Sequence, residues 1–346
     1  MKLEDIARES RATHKGDKSG VPIVGLEHLV PQEIKFTGYD VDTENTFTKA
    51  FKKGQILFGR RRAYLKKAAI ADFDGICSGD ITVIEAIPGK VEPLLLPFII
   101  QNDKFFDYAV SRSAGGLSPR VKWEHLKDYE LDLPPIDEQR ILADKLWAAY
   151  RLKESYKKLL TATQEMVKSQ FIEMFGGDKY HQMELDSIAE DWLKGQAFKK
   201  DNICEDGTNF CIHYGELFTK YGPIIYDVSS TTNDDIMKAS KSGDILFPAS
   251  DVTPDGLARC SAIMSDDVLL GGDIIVLRPK QGNNSEYLSW AINMQKEQLL
   301  KRVTGSVVRH MSAKGLKTVQ IPIAPIEKQK QFINIVNQAD KSEYYN

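Results

Sequence analysis

Short apolar runs alternate with turn-forming residues along the chain. Val21–Val24, Gln55–Phe58, Asp80–Ile84, Asp244–Phe247 and Asp273–Leu277 each hold a block of aliphatic or aromatic residues bounded by Gly, Pro, Asn or Asp. Blocks of this length between breakers predict strands. Helical stretches are predicted over Leu94–Ser111 and Tyr287–Lys301. Each leads into a glycine-containing loop, Ser113-Ala-Gly-Gly-Leu-Ser-Pro-Arg120 and Val303-Thr-Gly-Ser-Val-Val-Arg-His310, and then a short strand ending in prolines.

The pattern changes at Ile136. From there to Phe175 the chain has neither Pro nor Gly. Leu142, Leu146, Ala149, Leu152, Tyr156, Leu159, Thr163, Met166, Gln170 and Met174 recur mostly at steps of three and four, the seam of a coiled coil. A helix over this span would be about 60 Å long, and Gly176-Gly177 ends it. A second helix is predicted from Ile326 to Asn346, about half the length of the first. Its Ile326, Phe332, Ile333 and Val336 are expected to cover roughly half of the seam, leaving the rest to other subunits or a second copy of the chain.

The chain also repeats itself. Leu3, Ile6 and Ala7 are echoed 182 residues later by Leu185, Ile188 and Ala189. GQILFG from Gly54 is echoed by GDILFP from Gly243, and Asp80-Ile-Thr-Val-Ile by Asp273-Ile-Ile-Val-Leu. Leu133-Pro-Pro-Ile-Asp-Glu-Gln139 is echoed by Ile323-Ala-Pro-Ile-Glu-Lys-Gln329. Four phrases in one order with a drifting offset indicate duplication, and two copies exclude a solenoid. The expected organisation is a mixed α/β (α+β) domain over 1–135 and a coiled-coil spacer helix over 136–176. A second such domain follows over 177–325 and a short helix over 326–346. Both sheets are expected to be mostly antiparallel and curled.

Composition narrows the function classes. The chain has 346 residues, 46 Lys+Arg against 49 Asp+Glu, and 42% hydrophobic residues. No run of 18 apolar residues occurs, so a soluble cytoplasmic protein with no membrane partner is expected. Cys77, Cys204, Cys211 and Cys260 lack metal or redox spacing and read as reduced thiols. No GxxxxGK[ST] loop, GxGxxG turn, Asn/Asp-Pro-Pro-aromatic tetrapeptide, nuclease-type carboxylate cluster or HxxxH pair is present. The expectation is a non-catalytic chain without a cofactor or metal of its own, whose function lies in binding.

One stretch stands out from this near-neutral background. Lys52 to Lys67 holds seven basic residues and no acidic one. Arg60, Arg61 and Arg62 follow a core strand, with Tyr64, Lys66 and Lys67 beyond them. One reading is contact with a polyanion; the other is a solvated loop paired with acids such as Asp72 or Asp74. The second copy has Ser250, Asp251 and Thr253 in the matching place, with Arg259 further on.

The phrases GQILFGRRRAYLKKAAIADFDGICSGDI, LPPIDEQRILADKL and IPIAPIEKQKQFINIV resemble the specificity subunit of type I restriction–modification enzymes. The likeness covers essentially the whole chain, and the twice-used Pro-Ile-x-x-Gln entry into a helix is its most specific part. The resemblance implies two target-recognition domains in a pseudo-two-fold arrangement, each reading half of a split double-stranded DNA target. Their helices would pack antiparallel and dock DNA methyltransferase subunits, with an ATP-dependent restriction and translocation subunit as a further partner. It favours DNA contact by Arg60, Arg61, Arg62, Tyr64, Lys66 and Lys67, and by Ser118, Arg120 and Lys122 of the first glycine loop. In the second copy the corresponding contacts are Ser250, Asp251, Thr253, Arg259, Arg302, Ser306, Arg309, His310 and Lys314. Leu142, Leu146, Leu152, Tyr156, Leu159 and Met166 would carry helix and partner packing. The alternative is a non-catalytic adaptor with two similar protein-binding heads.

Overall fold

A computed structural model describes residues 1–36 and 38–344, with side chains as far as Ala339. It divides into two compact units, Met1–Tyr156 and Lys157 onward. The division falls within the single helix Ile136–Phe175.

In the first unit the strands Ala7–Glu9, Ile81–Ala86, Ile56–Gly59 and Ala68–Ile70 form an antiparallel sheet in that order. In the second, Ala189–Lys194, Ile274–Pro279, Ile245–Pro248 and Ser261–Ile263 repeat the order, and Ile224–Ile225 adds a parallel edge strand. Each central strand is the repeated phrase. Ile56 pairs with Ile84 and Phe58 with Thr82; Ile245 pairs with Leu277 and Phe247 with Ile275.

Successive strand residues face opposite sides of a sheet. Ile56 and Phe58 pack with Ile84, Phe105 and Phe106, whereas Leu57 joins Ile81 and Val83 in a separate cluster. Ile245 and Phe247 likewise join Leu277 and Tyr287, with Leu246 among Ile274 and Val276 on the other face. Both faces are covered, which explains the unbroken apolar run where a half-exposed strand would alternate.

The helical stretches predicted over Leu94–Ser111 and Tyr287–Lys301 are each broken. The first divides into Leu96–Ile100 and Asp103–Ser111, because Asn102 caps a new helix by accepting from the Lys104 amide. The second divides into Ser285–Asn293 and Lys296–Leu300 around a non-helical Gln295. The C-terminal helix runs Ile326–Tyr344, and residues 345–346 lie outside the described residues.

The repeated Gln is a clasp. Gln139 and Gln329 are 4% and 2% exposed. Gln139 Nε2 donates to the Pro134 carbonyl at 2.8 Å, and its Oε1 accepts from the Glu92 amide at 3.0 Å. Gln329 repeats both bonds, to the Ala324 carbonyl at 2.8 Å and from the Asn284 amide at 3.1 Å. Each head is thereby tied to the helix leaving it.

Candidate nucleic-acid interface

The first head folds its basic stretch against its glycine loop. After Gly59 the Arg60 amide donates to the Asp80 carbonyl at 2.9 Å and the Val121 amide to Arg60 at 3.0 Å. Arg61 and Arg120 form an antiparallel bridge, and a second bridge between Ala114 and Arg120 closes the glycine loop. Around this frame Arg120 Nε donates to Asp80 Oδ1 at 2.7 Å, and Arg61 Nη1 reaches Oδ2 at 3.4 Å. The Nη2 atoms of Arg61 and Arg62 both donate to Ser118 Oγ at 3.2 Å. The Arg120 guanidinium, with Arg61 beside it, holds the Asp80 carboxyl below the usual carboxylate range.

Arg61, Arg62, Ser118 and Arg120 are thus brought together. Arg60 Nε is buried with no hydrogen-bond partner among the described residues. Tyr64 is exposed on the turn Ala63–Leu65. Lys66 pairs with Asp103, Lys67 donates to the Leu26 carbonyl at 2.8 Å, and Lys122 is exposed. Asp80 and Asp103 serve the part of the stretch beyond Gly59, and Asp74 serves its beginning at Lys52 and Lys53. Of the acids expected there, Asp74 is paired with Lys52.

The second head has the same frame with different side chains. The Ala249 amide donates to Asp273 at 2.8 Å and the Met311 amide to Ala249 at 2.9 Å. Ser250 pairs with His310 and Asp251 with Arg309, and Thr304 bridges to His310 to close the loop. Ser250 Oγ donates to Asp273 Oδ2 at 3.0 Å and Thr253 Oγ1 to Asp251 Oδ2 at 2.6 Å. Ser306 and Lys314 are exposed.

Two further candidates bond the backbone of their own head. Arg259 donates to the Phe218 and Tyr221 carbonyls, both at 3.1 Å. Arg302 donates to Gln298, Gly315 and Thr318 carbonyls, tying two short helices together. Their guanidinium groups bond mainly backbone carbonyls, whereas Arg61, Arg62 and Arg120 bond the side chains of Asp80 and Ser118.

Composition and charge runs missed four residues. Asp80 and Asp273 anchor the frame in each head, and the repeat alignment of Asp80-Ile and Asp273-Ile is the signal that finds them. Leu117 and Val307, 190 positions apart, are the midpoints of the two bridged loops and are 97% and 81% exposed.

The long helix packs on a different face from its predicted seam. Ala143 and Trp147 are buried in the first unit, where the Trp147 indole donates to the Leu94 carbonyl at 2.8 Å. Val167, Phe171 and Phe175 are buried in the second, with Phe332, Ile333 and Val336 of the C-terminal helix. Ile326, Leu142, Leu152, Tyr156, Leu159 and Met166 are exposed and Leu146 is half-buried. The C-terminal helix thus joins the core of the second unit. No described helix is long and apolar enough to cross a membrane.

Two heads built on one mixed α/β frame, with the same loop pair at the end of the same strand, define a duplicated recognition protein. The chain belongs to the type I restriction modification DNA specificity domain family, whose pattern matches residues 2–162 and again 177–344. It is 28% identical over 149 residues to the type I restriction enzyme EcoDI specificity subunit of Escherichia coli, covering 41% of this chain and 33% of that protein. The matched segment thus spans about a third of that relative. It is 22% identical over 363 residues to a putative type I restriction enzyme MjaX specificity subunit of Methanocaldococcus jannaschii, covering 95% of this chain and 82% of that one. In fold it is similar to the type I restriction–modification S subunit of M. genitalium, with TM-score 0.62 and 13% identity, covering 99% and 89% of the two chains. A chain from a structure of type I restriction–modification complex assembly gives TM-score 0.51 and 19% identity, covering 99% and 90%.

Proposed function

We propose that this chain is the DNA-reading subunit of a type I restriction–modification complex, each head reading one half of a bipartite, asymmetric double-stranded target. The observation that carries this reading is the shared frame with unshared side chains. Both heads bridge the loop after the central strand to a glycine loop above an aspartate. The first presents arginines there and the second Ser250, Asp251, Arg309 and His310. Arg can engage guanine O6 and N7 bidentately, whereas Ser and Asp make other base-edge bonds. Two unlike reading surfaces give an asymmetric target.

Methylation and cleavage then belong to partner subunits, and the exposed stripe Leu152, Tyr156, Leu159 and Met166 offers a methyltransferase its dock. The isolated chain is expected to transfer no methyl group and cut no DNA. Replacing Arg60, Arg61 and Arg62 together by Ala should weaken DNA binding and flatten its dependence on salt, since counterion release scales with phosphate contacts. Gel-shift titrations at several salt concentrations test this. A folded triple variant with unchanged affinity and slope would return the loop to a solvated surface.

A further inference from the structure

Isolated apolar residues on a surface are ordinary. Leu117 and Val307 are a different case because the same exposure occurs twice at matched places. Each is the middle residue of a five-residue loop closed by a backbone bridge, Ala114 to Arg120 and Thr304 to His310. Each loop turns on a glycine with positive φ, Gly115 at 117° and Gly305 at 93°. A Cβ on Gly305 would lie 2.2 Å from the Val308 carbonyl oxygen, so that turn requires glycine. Just past each bridge, the Val121 and Met311 amides bond the Arg60 and Ala249 carbonyls, the residues that directly follow the central strands. A rigid mount presenting an apolar tip beside hydrogen-bonding side chains suits insertion into a groove.

We infer that Leu117 and Val307 are specificity residues, each making apolar contact with the C5-methyl of a thymine in the major groove of its own half-target. This rests on the DNA-reading function proposed above. The major groove admits a two-stranded ribbon, and a pyrimidine methyl is the apolar group it offers. The two tips share apolarity but not length or branching. That favours a surface contact over a wedge between stacked bases, which needs reach.

The test uses the full chain with its methyltransferase, after genome-wide mapping of the methylated motif. Duplexes carry that motif with thymine replaced by deoxyuridine in one half at a time. Leu117→Ser should bind the native duplex about tenfold more weakly, in the range of one lost base contact, and relax the motif in one half. Val307→Ser should do the same in the other half. Deoxyuridine should weaken the native chain in a given half but not the variant of the head reading it. Leu117→Met should retain affinity. Both side chains are exposed, so the variants should fold, which circular dichroism checks. Variants that keep native affinity and motif, variants that lose both halves together, or a half-target without an A·T pair would overturn the inference. A native chain with no bipartite motif would instead overturn the proposed function.

Discussion

Arg62 and Lys66 occupy the left-handed region, at φ 54° and 52°, on either side of the turn Ala63–Leu65. That conformation costs a non-glycine residue roughly 1–2 kcal/mol, and such outliers gather where a loop is shaped for a task. Arg62→Gly should therefore stay within about 1 kcal/mol of native stability in urea unfolding, while DNA affinity falls with the lost cation. A large loss of stability would make Arg62 a fold residue. Asp80 has the opposite part. It sets a negative charge between Arg61 and Arg120, where phosphates would approach. Asp80→Asn keeps the shape and removes the charge. Binding to unrelated DNA should then strengthen a few-fold, with a steeper salt slope, and selectivity in one half of the target should loosen; unchanged non-specific affinity contradicts this role. Because the Asp80 carboxyl titrates below its ordinary range, the clamp's contribution is complete above the unfolded value of about 3.9. It is lost only as pH falls through the lower folded value.

The clasping glutamines show what elements add. Gln139→Leu would strand a half-buried carbonyl and amide, and Gln329→Leu a buried carbonyl and a half-buried amide, a loss of roughly 1–3 kcal/mol, measurable by urea unfolding; a loss below about 0.5 kcal/mol would make the clasp ornamental. The Gln was visible in the sequence as part of a repeated phrase, but its bonds were not, because Glu92 and Asn284 lie more than forty positions away. Both ends of the long helix were legible, since proline and glycine punctuate them. Its buried face was not. Spacing of three and four admits neighbouring stripes, and tertiary packing selected Ala143, Trp147, Phe171 and Phe175 over the leucine seam. The breaks at Asn102 and Gln295 were also hidden, because the short polar segments around them, Gln101–Lys104 and Gln295–Gln298, fit an exposed turn of a continuous helix as well as a break. Leu152 and Leu159 remain 58% and 52% exposed, and their joint change to Asp should abolish co-purification with methyltransferase while each head stays folded. If the helix sets the distance between reading heads, deleting Ser155–Thr161 removes about 10 Å. The required spacer should then change by about three base pairs with the bases at either end unaltered; the same spacer would exclude a ruler.

At the scale of the molecule the chain is slightly acidic, so DNA affinity must come from local contacts rather than net charge. Duplication supplies the frame, and on the proposed function divergence of the loops would supply two specificities. Exchanging residues 1–130 for the matching part of another family member should change one half of the methylated motif and leave the other. The central claim, that one chain reads a split target with two unlike heads, is tested most directly by mapping methylated bases genome-wide in a host with and without this gene. Loss of a single asymmetric motif, two short conserved blocks separated by a fixed number of unconserved bases, is the predicted result. No lost motif, or loss of one contiguous or palindromic motif, would contradict it.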